Sequence, residues 1–211
     1  MLALSGACTE ALRILDLEVR VEGAPPRGVA LVVANHVSYL DPVAIASVVP
    51  CVPIGKAEVA RWPVLGAVGA ATGVLFVARH ERGSRFGVVR AAEGAFQAGL
   101  PVLNFPEGTT TAGDRVLPLR PALFGSAIRL GVPVAPVAVR YDPPELAWIG
   151  DATFLPHLAR LLRRHSARVR LAFGAPLSPA AYPSAVSLAE AARARLSDLL
   201  EEATPWRRIR P

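Results

Sequence analysis

The sequence predicts an α/β fold in which a mostly parallel central sheet is flanked by helices. Three observations predict it. Short apolar runs alternate with longer stretches of helical periodicity along nearly the whole chain, the pattern of helices layered on both faces of a sheet. One run, Val134–Tyr141, is almost continuously apolar, as in a strand covered on both faces. The chain has 211 residues, 52% hydrophobic and 19% charged. That is enough for one sizeable core, and it is the reverse of the balance in disordered chains.

The elements follow in order. About 15 residues at the start suit one short amphipathic helix; they lack the basic n-region and long apolar run of a signal peptide. Leu17–Val21 and Val29–Val33 read as strands around the turn Glu22–Arg27, which carries Gly23, Pro25 and Pro26. Pro42–Val49 reads as a short helix with Asp41 as its cap and Pro42 in its first turn. Val52–Ile54 reads as a strand and Ala57–Ala71 as a helix interrupted by Pro63. Residues 62–78 are free of charge and sit at the lower length limit for a membrane span. Their proline and glycines read better as a broken helix running into the strand Val74–Val77. Gly83–Ala98 is helical, with Phe86, Val89, Ala92 and Phe96 recurring at three and four residues. Val102–Phe105 is a strand, Pro121–Leu130 a helix stopped by Gly131, Val134–Tyr141 a strand, Leu155–Arg164 a helix and Val169–Phe173 a strand. A helix over about 185–204 closes the chain. No linker or repeat interrupts the series, so residues 1–211 read as a single domain.

The net charge is +6, and Lys56 is the one lysine among 23 basic residues. A basic excess suits nucleic acid or an anionic membrane surface. Nucleic acid is set aside: aromatics are 6% of the chain, and no basic stretch is interleaved with them before its last few residues. Arg160, Arg163, Arg164, His165, Arg168 and Arg170 form a basic cluster that is either a solvated face or a contact for anionic headgroups, and Trp206–Arg210 adds an aromatic and basic end. Cys8 and Cys51 have no partner at ligand spacing; no metal site is expected, and both read as inert thiols in a reducing compartment. G-x-S-x-G, P-loop, G-x-G-x-x-G and H-E-x-x-H patterns are absent, which removes the serine-hydrolase, nucleotide and zinc-protease readings.

Three loops carry polar residues on an otherwise oily chain. Asn35-His-Val-Ser-Tyr-Leu-Asp41 follows one apolar strand, a position where open α/β sheets gather active-site residues. An Asp five residues after His36 can accept from one ring nitrogen, which frees the other to take a hydroxyl proton; spacing alone equally allows Asp41 to be only a helix cap. Phe105-Pro-Glu-Gly-Thr-Thr-Thr111 follows a second strand. Gly108 and the threonines suit an anion or oxyanion, and Glu107 suits hydroxyls of a polar acceptor, although the same residues also suit a simple turn. Arg79 ends a third strand and can clamp a phosphate bidentately or lie on the surface. A base, its orienter, an anion-binding turn and a cation together suit acyl transfer to an alcohol. The same dyad can activate water, as in a thioesterase, and a non-catalytic lipid-binding protein is the other class left open.

Over roughly residues 15 to 175, these blocks make the sequence resemble the 1-acylglycerol-3-phosphate acyltransferase family, the glycerolipid acyltransferases with NHxxxxD and FPEGT blocks. Asn35, His36 and Asp41 match the first block, Gly73–Arg79 the second, Phe105–Thr109 the third and Val132–Val137 the fourth. The resemblance implies an acyl thioester donor, on coenzyme A or acyl carrier protein, and no metal or prosthetic group. On this resemblance, His36, oriented by Asp41, is expected to deprotonate a lysolipid hydroxyl that attacks the thioester directly. It also implies that Asn35, Arg79, Glu107, Gly108 and Thr109 bind substrate. It further implies a peripheral enzyme at the cytoplasmic face of an anionic membrane. Lysophosphatidate is the acceptor read first.

Two departures matter. The third block usually continues Gly-Thr-Arg-Ser, whereas this chain has Gly108-Thr-Thr-Thr111, with Arg115 and Arg120 downstream. This stretch looks more like the branch that acylates lyso-ornithine lipids, which makes such a lipid the alternative acceptor. The second departure is the short segment ahead of the first block, where relatives often carry one or two apolar helices.

Overall fold

The computed structural model describes residues 2–57, 60, 74–77, 82–149, 153–164 and 167–202. Its architecture is α/β. Seven strands, β1 (Leu17–Glu22), β2 (Leu31–Ala34), β3 (Val52–Lys56), β4 (Leu75–Val77), β5 (Val102–Asn104), β6 (Val134–Asp142) and β7 (Ala167–Phe173), form one sheet in the order β1-β7-β6-β2-β5-β3-β4. Neighbours run parallel except β6 and β7, which are antiparallel. Among the described residues six α-helices accompany it: α1 (Leu2–Ile14), α2 (Asp41–Val48), α3 (Arg82–Gln97), α4 (Ala122–Leu130), α5 (Phe154–Leu162) and α6 (Ala185–Glu201). Among the described residues no helix is long and apolar enough to cross a membrane. The interrupted helix expected before β4, Arg79, His165 and Trp206–Arg210 lie outside the described residues.

The alternation of side chains along each strand divides the core between the two faces of the sheet. Val32 and Ala34 of β2 and Val137 and Val139 of β6 point to one face, where they meet Leu12 of α1, Ile45 of α2 and Leu161 of α5. Leu31 and Val33 of β2 and Val134 and Ala138 of β6 point to the other, against Phe96 of α3, Phe124 of α4 and Leu196 of α6. A strand buried on both faces has no polar alternate, and all four residues of β2 are buried. Phe124 is fully buried, a burial that contributes about 2–3 kcal/mol. Gly131 ends α4 in the left-handed region at φ 65°. Ser184 opens α6, its hydroxyl accepting from the Ser187 N–H at 3.1 Å in a reciprocal capping box.

The topology determines where chemistry can gather. β2 lies between β5 and β6, and Val33 stands level with Asn104 on one side and Pro136 on the other. The loops leaving β2 and β5 therefore emerge side by side at the carboxyl edge of the sheet, where the connection from β5 to β6 passes across β2. Such a point leaves a crevice between neighbouring loops.

Candidate active site

His36 leaves β2 two residues past its last buried position and stacks on Phe105, with ring centroids 4.2 Å apart and planes inclined by 27°. Its Nδ1 lies 2.8 Å from Asp41 Oδ2. The imidazole side chain is 21% exposed, whereas the Asp41 carboxylate is completely buried. Three further donors converge on that carboxylate. The N–H groups of Val37 and Ser38 donate to Oδ2 at 2.7 and 2.9 Å. The Tyr141 hydroxyl, at the end of β6, donates to Oδ1 at 2.8 Å. Four donors around one buried carboxyl group suit the ionised form, which only accepts. Burial, and then the Asp41 charge beside it, push the Tyr141 phenol well above its ordinary pKa, so it stays a donor.

Asp41 is not the helix cap that its position before Pro42 suggests. Leu40 occupies the cap position without a side-chain bond, and Asp41 is the first helical residue. Its carboxylate turns back onto the loop it has just left, because the Val37 and Ser38 N–H groups, His36 and Tyr141 all point at it. The expected pairing of a histidine with an aspartate five residues on is therefore present as geometry, and the cap is not.

The third-block loop is fastened to the first. Glu107 is 6% exposed. Its Oε2 accepts from the His36 N–H at 2.9 Å and its Oε1 from the Leu117 N–H at 2.8 Å. Burial raises its pKa, and those two backbone N–H groups oppose the rise. The Thr111 N–H donates to the His36 carbonyl at 2.8 Å. Thr110, where the family block carries arginine, donates its hydroxyl to the Trp148 carbonyl at 2.6 Å. Gly108 has φ 78°, and Thr109 beside it is exposed. Asn35 is wholly buried; its amide donates to the Val139 carbonyl at 3.0 Å and accepts from the Val139 N–H at 2.7 Å. In this structure Asn35 locks the end of β2 to β6, and Glu107 braces the backbone under His36.

Of the residues singled out in the sequence, His36, Asp41, Glu107 and Gly108 come together, Asn35 lies beneath them, and Arg79 is outside the described residues. Tyr141 was missed. Its signal was present: a tyrosine closing a buried apolar strand needs a partner for its hydroxyl, and a buried aspartate needs donors.

The Acyltransferase family model matches residues 17–140. The lyso-ornithine lipid O-acyltransferase of Pseudomonas aeruginosa is 39% identical over 77% of this chain and 65% of its own length. That of Brucella abortus is 34% identical over 93% of this chain and 81% of its own. The 1-acyl-sn-glycerol-3-phosphate acyltransferase of Neisseria gonorrhoeae is 44% identical over 62% of this chain and 52% of its own. The matched part thus spans about half to four fifths of these relatives. The crystal structure of the 1-acyl-sn-glycerophosphate (LPA) acyltransferase PlsC from Thermotoga maritima shares the fold, with a TM-score of 0.75 at 24% identity over 98% of this chain and 80% of that one. With a buried aspartate holding a histidine where the first block falls, and the family model spanning β1 to β6, the chain belongs to the acyltransferase family.

Proposed function

We propose that this protein is a lysolipid O-acyltransferase that uses His36 as general base and Asp41 as its orienter. The observation that carries the reading is the four-donor shell of Asp41, with His36 Nδ1 as one member. Held at Nδ1, the ring presents Nε2 to substrate. Nε2 takes the proton of the acceptor hydroxyl as its oxygen attacks the thioester carbonyl. When the tetrahedral intermediate collapses, the C–S bond breaks, and the imidazolium returns the proton to the leaving thiolate. Asp41 stabilises the imidazolium between those two steps. Thr109 and the backbone at Gly108 stand beside the dyad to receive polar groups of substrate, with Arg79 as a further cation. No step requires a metal or a covalent enzyme nucleophile.

The donor in this reading is acyl-coenzyme A or acyl carrier protein. Both are cytoplasmic, which puts the enzyme at the cytoplasmic face of the membrane. Peripheral attachment has support in α5. Leu155 and Leu162, seven residues apart on one face, are 67% and 58% exposed, and Arg160 and Arg163 are exposed beside them. An apolar ridge bordered by guanidinium groups suits an anionic bilayer surface.

Two acceptors compete, lysophosphatidate and lyso-ornithine lipid. The second is favoured by Thr110, which binds the Trp148 carbonyl where an arginine would serve a phosphate, and by the names of the relatives that match most of this chain. The test is thiol release from palmitoyl-coenzyme A with lysophosphatidate, with lyso-ornithine lipid and with neither, each beside His36→Ala. Release that needs a lysolipid and is absent from the mutant is the expected result, and it identifies the acceptor. Release without an acceptor indicates a thioesterase. If no release occurs with coenzyme A or with palmitoyl-acyl carrier protein, the protein is a lipid binder.

A further inference from the structure

The third-block loop lacks its arginine, yet a guanidinium lies on it. Gly108 sits one residue past Glu107, whose carboxylate holds the His36 N–H. A Cβ built on Gly108 would lie 2.6 Å from Arg120 Cζ, 2.7 Å from Nη2 and 2.9 Å from Nε. The guanidinium is therefore packed against the Cα of Gly108, and a side chain at that position, where φ is 78°, would displace it. The Arg120 N–H donates to the Pro106 carbonyl at 3.0 Å, which folds the end of the loop back over its beginning. Arg120 is exposed, and among the described residues it enters no ion pair. Thr110, the residue at the usual arginine position, is turned away onto Trp148.

We propose that Arg120 determines acceptor specificity by taking the anionic oxygens of the headgroup, phosphate or carboxylate, beside the His36–Asp41 pair. The inference rests on the acyltransferase reading for its substrate, but it can be tested by binding alone. A guanidinium is a planar fork of donors that grips either oxyanion through two parallel hydrogen bonds. Here the Arg120 backbone is anchored by its N–H bond to the Pro106 carbonyl, and the fork lies against the Gly108 backbone before any ligand arrives. A cation carried at position 120, instead of on the turn at position 110, reaches the same loop from its far end. The anion would then lie over Gly108, one residue from the carboxylate that braces His36.

The experiment is equilibrium calorimetry without donor, using short-chain lysophosphatidate, a short-chain lyso-ornithine lipid and monoacylglycerol as the uncharged control. Arg120→Gln is expected to weaken at least one anionic lipid by about ten- to a hundredfold, the range for one charge-assisted contact, and to leave monoacylglycerol unchanged. Arg120→Lys keeps the charge without the fork and should recover part of the loss. Arg115→Gln removes the same charge five residues away in the same loop and should change none of the three. Whichever lipid responds identifies the oxyanion. Equal binding of both anionic lipids by wild type and Arg120→Gln overturns the proposal, as does an equal loss in Arg115→Gln or on monoacylglycerol. Turnover is read separately: a wild type that binds but transfers no acyl chain overturns the acyltransferase reading and leaves the Arg120 contact standing.

Discussion

Asp41→Asn isolates what the carboxylate charge does. The residue is completely buried and accepts four hydrogen bonds, three on Oδ2 and one on Oδ1. An asparagine can keep the whole arrangement. Its amide oxygen takes the Oδ2 position and still accepts from Val37, Ser38 and His36 Nδ1. Its NH₂ group faces Tyr141, whose hydroxyl rotates from donor to acceptor. Ring orientation and tautomer survive, and only the negative charge beside the imidazolium of the proposed mechanism is lost. At about 4 Å between charge centres and an effective dielectric near 20, that attraction is about 4 kcal/mol, or about a thousandfold in rate. The assay is single-turnover acyl transfer beside thermal melting. The expected result is a kcat lower by about a thousandfold with a melting point within a few degrees of wild type. Adding Tyr141→Phe leaves the amide without its acceptor and should destabilise the double variant by about 1–3 kcal/mol. A single variant that keeps a tenth of wild-type turnover would refute the electrostatic role of Asp41. One that fails to fold would refute the geometry.

Glu107→Gln offers one oxygen and one NH₂ to two N–H donors, so either His36 or Leu117 loses its acceptor. Turnover should fall and the fold should weaken by about 1–3 kcal/mol; a change confined to the Michaelis constant of the acceptor would instead make Glu107 a substrate ligand. Burial, and then the nearby Arg160, lower the His157 pKa from its ordinary 6.5. Its contribution to stability is therefore full above pH 6.5 and lost as pH falls toward the lowered folded value, because the unfolded chain takes the proton first. Urea unfolding followed from about pH 8 to 5 should show that loss, and a His157→Asn variant should not. Burial raises the Cys51 thiol to about 12 and also raises Cys8, so neither should react with iodoacetamide at neutral pH until the protein is unfolded. Labelling of the native protein, read by mass, would contradict that burial.

The strands were legible wherever their composition was one-sided. Val134–Tyr141 reads as a covered strand because nothing polar interrupts its core positions, and β6 runs from Val134 to Asp142. The helix Gly83–Ala98 follows from its three-and-four spacing, and α3 ends one residue before Ala98. Strand direction left no such trace. The antiparallel pairing of β6 with β7 depends on how α5 returns the chain, and apolar runs look alike in either direction. The first-block loop was visible because its histidine and aspartate are close in sequence. Its partners were not, since Tyr141 bonds to Asp41 across 100 positions and Val139 to Asn35 across 104. The cap assignment failed for the same reason. An aspartate before a proline carries one local signal for two uses, and the choice between them was made by donors elsewhere in the chain.

The pairing of β1 with β7 bears on how the chain is made. Leu17 lies level with Ala167 and Glu22 with Ala172, so β1 leaves the ribosome long before the strand it pairs with. Glu22 meanwhile lacks Arg170, the buried guanidinium it pairs with in the finished sheet. His36 and Asp41 emerge early, but Tyr141, the donor that completes the aspartate's shell, follows about a hundred residues later. At about 5–20 residues per second of synthesis, the dyad is present for several seconds before the strand that organises it. A half-made chain therefore carries His36 and Asp41 without the Tyr141 hydroxyl that holds the aspartate in the finished fold.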